Sequence, residues 1–163
     1  MLTIDEFFAA SGSSTGVLLA SPADASSLRY RWPDGVIVRE VRGPAMRTVA
    51  GIFSEFAAAF QFPYYFGHNK DAFDECMRDL DEFVGPASRY LVVVREAAEL
   101  LADAPAERDW FFAAMDFYAT EWAPRDVGFR VVLQTAPPAV SVTGPTASSA
   151  WPAKLGLPLL SLG

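Results

Sequence analysis

The sequence predicts an α/β domain: a three-stranded parallel sheet covered by four helices, with terminal extensions able to add edge strands. Three observations carry this. Tyr90-Leu-Val-Val-Val94 is an unbroken apolar run, as a strand buried on both faces reads. Helix-length segments separate that run from the apolar stretches at 36–41 and 128–133, and connections of that kind join parallel strands. A chain of 163 residues, 52% hydrophobic, can bury one core and suits a single domain.

The elements follow in order. Thr3-Ile-Asp-Glu6 has capping-box spacing and predicts a short helix over 3–10. Residues 12–16 break the chain, 17–20 form a short strand, and 22–27 read as loop. Pro33-Asp-Gly35 is a turn that opens the strand at 36–41. Thr48 caps a helix running to Phe60, with Ile52, Phe53, Phe56 and Phe60 on one side. Phe62-Pro63 stops it, because a residue before proline disfavours helix. A second helix spans about 69–83. After the strand at 90–94 come a short helix over 97–102 and a longer one over 106–122. The last core strand is 128–133. Beyond Gln134 the chain turns rich in Pro, Ala and Ser; 140–143 can serve as an edge strand, and Trp151 and Leu159 are the candidates for packing the tail.

The most informative stretch is the second helix with the turn before it. From Asn69 to Glu82 six acids (Asp71, Asp74, Glu75, Asp79, Asp81, Glu82) face two bases (Lys70, Arg78), a local net of −4 in a chain of −7. At about 100° per residue, Asp71, Glu75, Arg78 and Glu82 share one stripe. Phe73, Cys76, Met77 and Leu80 lie opposite, so the helix buries one row and displays the other. Asp71 and Glu75 are like charges one turn apart, which costs about a few tenths of a kcal/mol. The acids toward the C-terminal end also oppose the helix dipole. A cationic partner relieves both. Tyr64, Tyr65 and Phe66 stand just before the acids, and aromatic anchors beside charge mark protein-binding surfaces. At least one of the three is expected to pack inward.

Bulk properties narrow the classes. A pI of about 4.6 argues against nucleic-acid binding, which needs clustered Lys and Arg. One cysteine, Cys76, excludes an internal disulfide and any multi-cysteine zinc site. The first residues carry acids where a signal peptide carries bases, and no apolar run approaches a membrane span, so the cytoplasm is the expected location.

These residues resemble the barstar family, intracellular inhibitors of small secreted ribonucleases. The likeness runs from about Val36 to Leu133, leaving 1–34 and 135–163 as extensions of a single domain. Its specific part is Phe62-Pro-Tyr-Tyr-Phe-Gly-His-Asn-Lys-Asp-Ala-Phe73, which is similar to the family pattern of proline, aromatic pair, Gly, any residue, Asn, any residue, Asp-Ala. The resemblance implies three parallel strands and four helices, and an inhibitor whose second helix and preceding turn enter the ribonuclease active site in place of RNA phosphate. It implies a partner-binding set of Tyr64, Tyr65, Phe66, Gly67, His68, Asn69, Asp71, Asp74, Glu75 and Glu121. Within it, Tyr65 matches the stacking aromatic, Asp71 a contact acid, and Glu75 the position where the family usually has a central Asp. Asp74 stands where the best-known members have an aromatic. Glu121 is the candidate for a further contact acid on the fourth helix. The implied partner is a cationic extracellular ribonuclease, with no cofactor, metal, membrane, small-molecule substrate or direct nucleic-acid contact.

Other chemistry fits less well. His68 is the one histidine and has no second ligand at metal spacing. Cys76 lies on the apolar row, and neighbouring acids make its thiol a poor nucleophile. No Ser-His-Asp ordering and no glycine-rich phosphate loop can be built. Paired carboxylates such as Asp71 with Glu75 would suit a hydrolase, but nothing marks a cleft. The expectation is a non-enzyme: a ribonuclease inhibitor or, alternatively, a barstar-like module that binds a partner other than a nuclease.

Overall fold

The computed structural model describes residues 1–137 and 156–163, and the expected edge strand at 140–143 and Trp151 lie outside them. Six parallel strands form one sheet: β1 (Leu2–Thr3), β2 (Thr15–Leu19), β3 (Val36–Arg42), β4 (Arg89–Arg95), β5 (Gly128–Thr135) and β6 (Leu159–Ser161), in the spatial order β1-β6-β2-β5-β4-β3. The three expected core strands are β3, β4 and β5, with β4 central among them. Ile37 lies opposite Tyr90 and Tyr90 opposite Phe129. The extensions supply the other three. Leu160 pairs with Leu2 on one side and Leu18 on the other, so the chain's last strand sits between two N-terminal ones.

Alternation along β4 and β5 divides the core into two layers. Tyr90, Val92, Val94, Phe129, Val131 and Leu133 face α3 (Val49–Phe60), α4 (Lys70–Arg78) and α6 (Arg108–Trp122). Leu91, Val93 and Val132 face the opposite way, against Ile4, Phe7, Phe8 and Leu28 of the N-terminal extension. This is why β4 reads as an unbroken apolar run: both of its faces are covered. The extension is therefore the second layer of the sandwich. Its α1 (Ile4–Ala9) has the expected capping box, with Thr3 Oγ1 accepting from the Glu6 amide and the Glu6 carboxylate accepting from the Thr3 amide at 2.7 Å. Arg89 and Arg130 hold its C-terminal end, donating to the carbonyls of Phe8 and Ala10.

Three expectations need correction. Residues 22–27 are not loop: α2 (Pro22–Ser26) forms with Ser21 as N-cap and Pro22 in the first turn, and a 3₁₀ turn follows at Ser27–Tyr30. Residues 97–102 are not a helix: a 3₁₀ turn, Ala97–Glu99, stops because Leu101 and Asp103 donate their amides to the carbonyls of Met46 and Arg47. The acidic helix does not run unbroken to residue 83. It ends at Arg78 and resumes as α5 (Leu80–Phe83). The indole Nε1 of Trp122 donates to the Met77 carbonyl at 2.9 Å, and Arg125 donates to the Arg78 carbonyl at 2.7 Å. With side chains on these two carbonyls, the chain is free to bend at Asp79. Glu82 consequently leaves the stripe that Asp71, Glu75 and Arg78 share.

The place of β6 is testable. Leu160 is fully buried and its side chain covers Gly16, where an added Cβ would stand 2.7 Å from Leu160 Cδ1. Leu160→Ala is expected to destabilise the whole protein by about 2–5 kcal/mol in chemical denaturation. A change below about 0.5 kcal/mol would show that the last strand does not belong to the cooperative unit.

A candidate partner-binding face on helix α4

The face is built on an aromatic cluster. Phe73, on the inner side of α4, contacts Phe53, Phe56, Phe62, Trp110 and Tyr118 at centroid separations of 5.2–6.1 Å. These rings anchor the helix and the turn before it. Gln61 takes a left-handed conformation as the C-cap of α3, which turns the chain out of that helix. A tight turn follows, closed by the Phe66 amide on the Pro63 carbonyl at 2.9 Å. Tyr64 and Tyr65 are its two central residues, so both rings point to solvent, at 100% and 73% exposure. Phe66 turns inward, packing against Phe53 and Phe62. It is the member of the aromatic trio that plugs the core, and its ring is not on the surface.

Gly67, His68 and Asn69 then set the start of α4. Asn69 is the N-cap: its Oδ1 accepts from the Ala72 amide at 2.9 Å, and its Nδ2 donates to the Gly67 carbonyl at 3.1 Å. A Cβ at Gly67 would lie 2.9 Å from that Nδ2, so a larger residue there would push the capping side chain aside. His68 is left-handed and exposed, with its ring 4.8 Å from that of Phe66. Gly67 and Asn69 thus have a structural role in the turn, which the sequence pattern alone does not separate from a role in contact.

The acids divide into two groups. Asp71 and Glu75 are exposed and form no ion pair or side-chain hydrogen bond among the described residues. Asp74 is half-buried and turned toward α6, where its Oδ1 accepts from the Tyr118 hydroxyl at 2.5 Å. Burial and this hydrogen bond raise the Tyr118 pKa well above its ordinary value. Asp74 is therefore a clamp between α4 and α6, which distinguishes it from the displayed row. Glu121 is half-buried on α6, one turn beyond Phe117. Cys76 is buried, and burial, then Asp79 and Glu75, push its thiol pKa up.

The local cations contact other groups than the displayed acids. Lys70 pairs with Glu107 at 2.8 Å and stands over the Trp110 ring at 4.6 Å. Arg78 lies over Phe117 with its Nε on the Asp74 carbonyl. Elsewhere Arg42 binds Glu55 through two nitrogens, Arg47 joins Glu99 and Asp103, and Arg29 joins Glu40. So Arg42 and Arg47 are neutralised in place. Among the described residues no group of three or more His, Cys, Asp or Glu is placed to hold a metal, and no helix is long and apolar enough to cross a membrane.

A family model described as barstar (barnase inhibitor) matches residues 36–134, more than half of the chain. The chain belongs to the barstar family. That family consists of inhibitors, not enzymes, and its membership points to a barnase-like ribonuclease as the kind of target. The matched barstar segment begins at β3 and ends within β5, so it contains the turn, α4 and α6 and leaves out β1, β2 and β6. A search of curated proteins gives no match.

Two measurements check the clamp in this barstar domain. Tyr118→Phe leaves the half-buried Asp74 without its donor and is expected to cost about 1.5–3 kcal/mol. Tyr118 and Tyr90, the latter pushed up to about 12 by burial, both favour the protonated folded state. Their contribution is complete below the unfolded tyrosine pKa of about 10 and is lost as pH rises above it. Unfolding free energy should therefore fall above about pH 10, and less steeply in Tyr118→Phe and Tyr90→Phe.

Proposed function

We propose that this protein inhibits a small, basic, secreted ribonuclease inside the cell that carries it, by seating the Tyr64–Tyr65 turn and the outer row of α4 in the enzyme's active site. The observation that carries the reading is the state of Asp71 and Glu75. They are exposed, they are like charges one turn apart, and among the described residues they pair with no cation although Lys70 and Arg78 are close in sequence. Family membership supports the reading independently.

The chemistry is phosphate mimicry. A ribonuclease holds its anionic substrate with Arg, Lys and His side chains, which meet two carboxylates presented on a rigid helix. Each new charge-assisted hydrogen bond forms where water is excluded, so it is stronger than its exposed counterpart. Tyr65 and Tyr64 supply flat apolar area at low cost in rotamer entropy. In this reading His68, in the turn, and Glu121, on α6, supply further contacts, and Asn69 and Gly67 fix the shape of the turn.

Titration of small basic ribonucleases against the purified protein tests this. Inhibition is expected to be stoichiometric, with an association rate that falls as ionic strength rises. Glu75→Gln, Asp71→Asn and Tyr65→Ala should each weaken inhibition tenfold or more, about 1.4 kcal/mol per decade. A panel in which no ribonuclease loses activity, together with recovery of a different protein from host lysate, would replace this reading with that of an interaction module for a partner other than a nuclease.

A further inference from the structure

We propose that Arg78 and Phe117, at the seam between α4 and α6, form a second recognition element that reads a carboxylate next to an apolar side chain at the rim of the partner's cationic site. The proposal rests on the inhibitory reading above and adds the feature by which one cationic ribonuclease is told from another.

Phe117 is 40% exposed, whereas its neighbours Tyr118, Ala114 and Met115 on α6 are buried. The Arg78 guanidinium stands 5.9 Å from the centre of its ring. Arg78 lies on the same stripe of α4 as Asp71 and Glu75, so the aromatic ring extends the displayed row onto α6, with Glu121 one turn further along.

The charge arrangement is what calls for a reason. Arg78 sits among acids, yet it makes no ion pair among the described residues. Asp74, the carboxylate one turn back, gives its Oδ1 to Tyr118 and only its backbone carbonyl to Arg78. A cation at this place weakens attraction to any wholly cationic target. It strengthens binding only to a partner that offers an acceptor opposite. A guanidinium resting on an aromatic face is pre-organised for a carboxylate, which it meets with two parallel N–H groups. The exposed ring beside it offers apolar area to a neighbouring side chain. Discrimination of this kind works by penalising wrong partners as well as rewarding the right one. Arg78 also lies in the last turn of α4, where a cation complements the helix dipole. That role predicts a change in stability alone.

The test compares two probes: a small basic ribonuclease that the wild-type protein inhibits, and poly-L-lysine, which has cations and no carboxylates. Arg78→Gln should weaken binding to the ribonuclease tenfold or more and tighten binding to poly-L-lysine. Arg78→Lys, which keeps the charge and loses the planar fork, should weaken the ribonuclease several-fold and leave poly-L-lysine unchanged. Phe117→Ala should weaken the ribonuclease alone. Denaturation midpoints confirm that each variant is folded. If Arg78→Gln tightens both probes, or changes neither, the proposal fails, even where Glu75→Gln still abolishes inhibition. If the wild type inhibits no ribonuclease, the inhibitory reading fails and takes this one with it.

Discussion

The packing of α4 against α6 is the constraint on which the rest of the surface depends. Three contacts define it: the Tyr118 hydroxyl on Asp74, the Trp122 indole on the Met77 carbonyl, and Phe73 among the aromatic rings. Together they fix both the rotation and the length of α4. Rotation decides which acids are buried and which are shown. Length decides that Arg78 is the last residue of the stripe and that Asp81 turns instead toward Arg125. A helix free to rotate by one residue would bring different acids to the surface.

Like-charged acids on this face are costly to the fold. The inner row is apolar and fully engaged, so the helix is held without help from its outer row. The outer row is therefore available for binding. Arg42 is paired with Glu55 and Arg47 with Asp103, whereas Asp71 and Glu75 have no such partner among the described residues. Hydrogen bonding to Arg42 holds the Glu55 carboxyl below its usual range, which is how a carboxylate behaves when its partner is within the chain. The extensions contribute at a distance. They cover the second face of β4 and β5, and β2 pairs with β5 on the side away from β4; these two strands carry the helices behind the outer row of α4.

Much of this is legible in the sequence where the cause is local. Thr3 and Thr48 are caps recognisable from their neighbours, and each caps the helix expected of it; the helix expected from about 69 starts there, with Asn69 as its cap. The apolar runs are β3, β4 and β5. The split of α4 into buried and displayed rows follows from helical spacing. Causes distant in sequence are not legible. The break at Asp79 depends on Trp122 and Arg125, more than forty residues away. The inward turn of Asp74 depends on Tyr118. The three residues of β6 become a strand only because β1 and β2 leave a place between them. One local signal runs against the loop-like composition of 22–27: Ser21 followed by Pro22 is a helix start, and α2 begins there.

The proposed function requires that the outer row of α4 serve a partner and not the fold. The unfolding free energy of the free Glu75→Gln protein, measured by chemical denaturation at low salt, tests this most directly. Glu75 has no partner among the described residues and has Asp71 and Asp79 one turn to either side. Removing its charge should leave stability unchanged or raise it by about 0.2–0.5 kcal/mol. A loss greater than about 1 kcal/mol would mean that the chain itself holds Glu75, and would contradict the account.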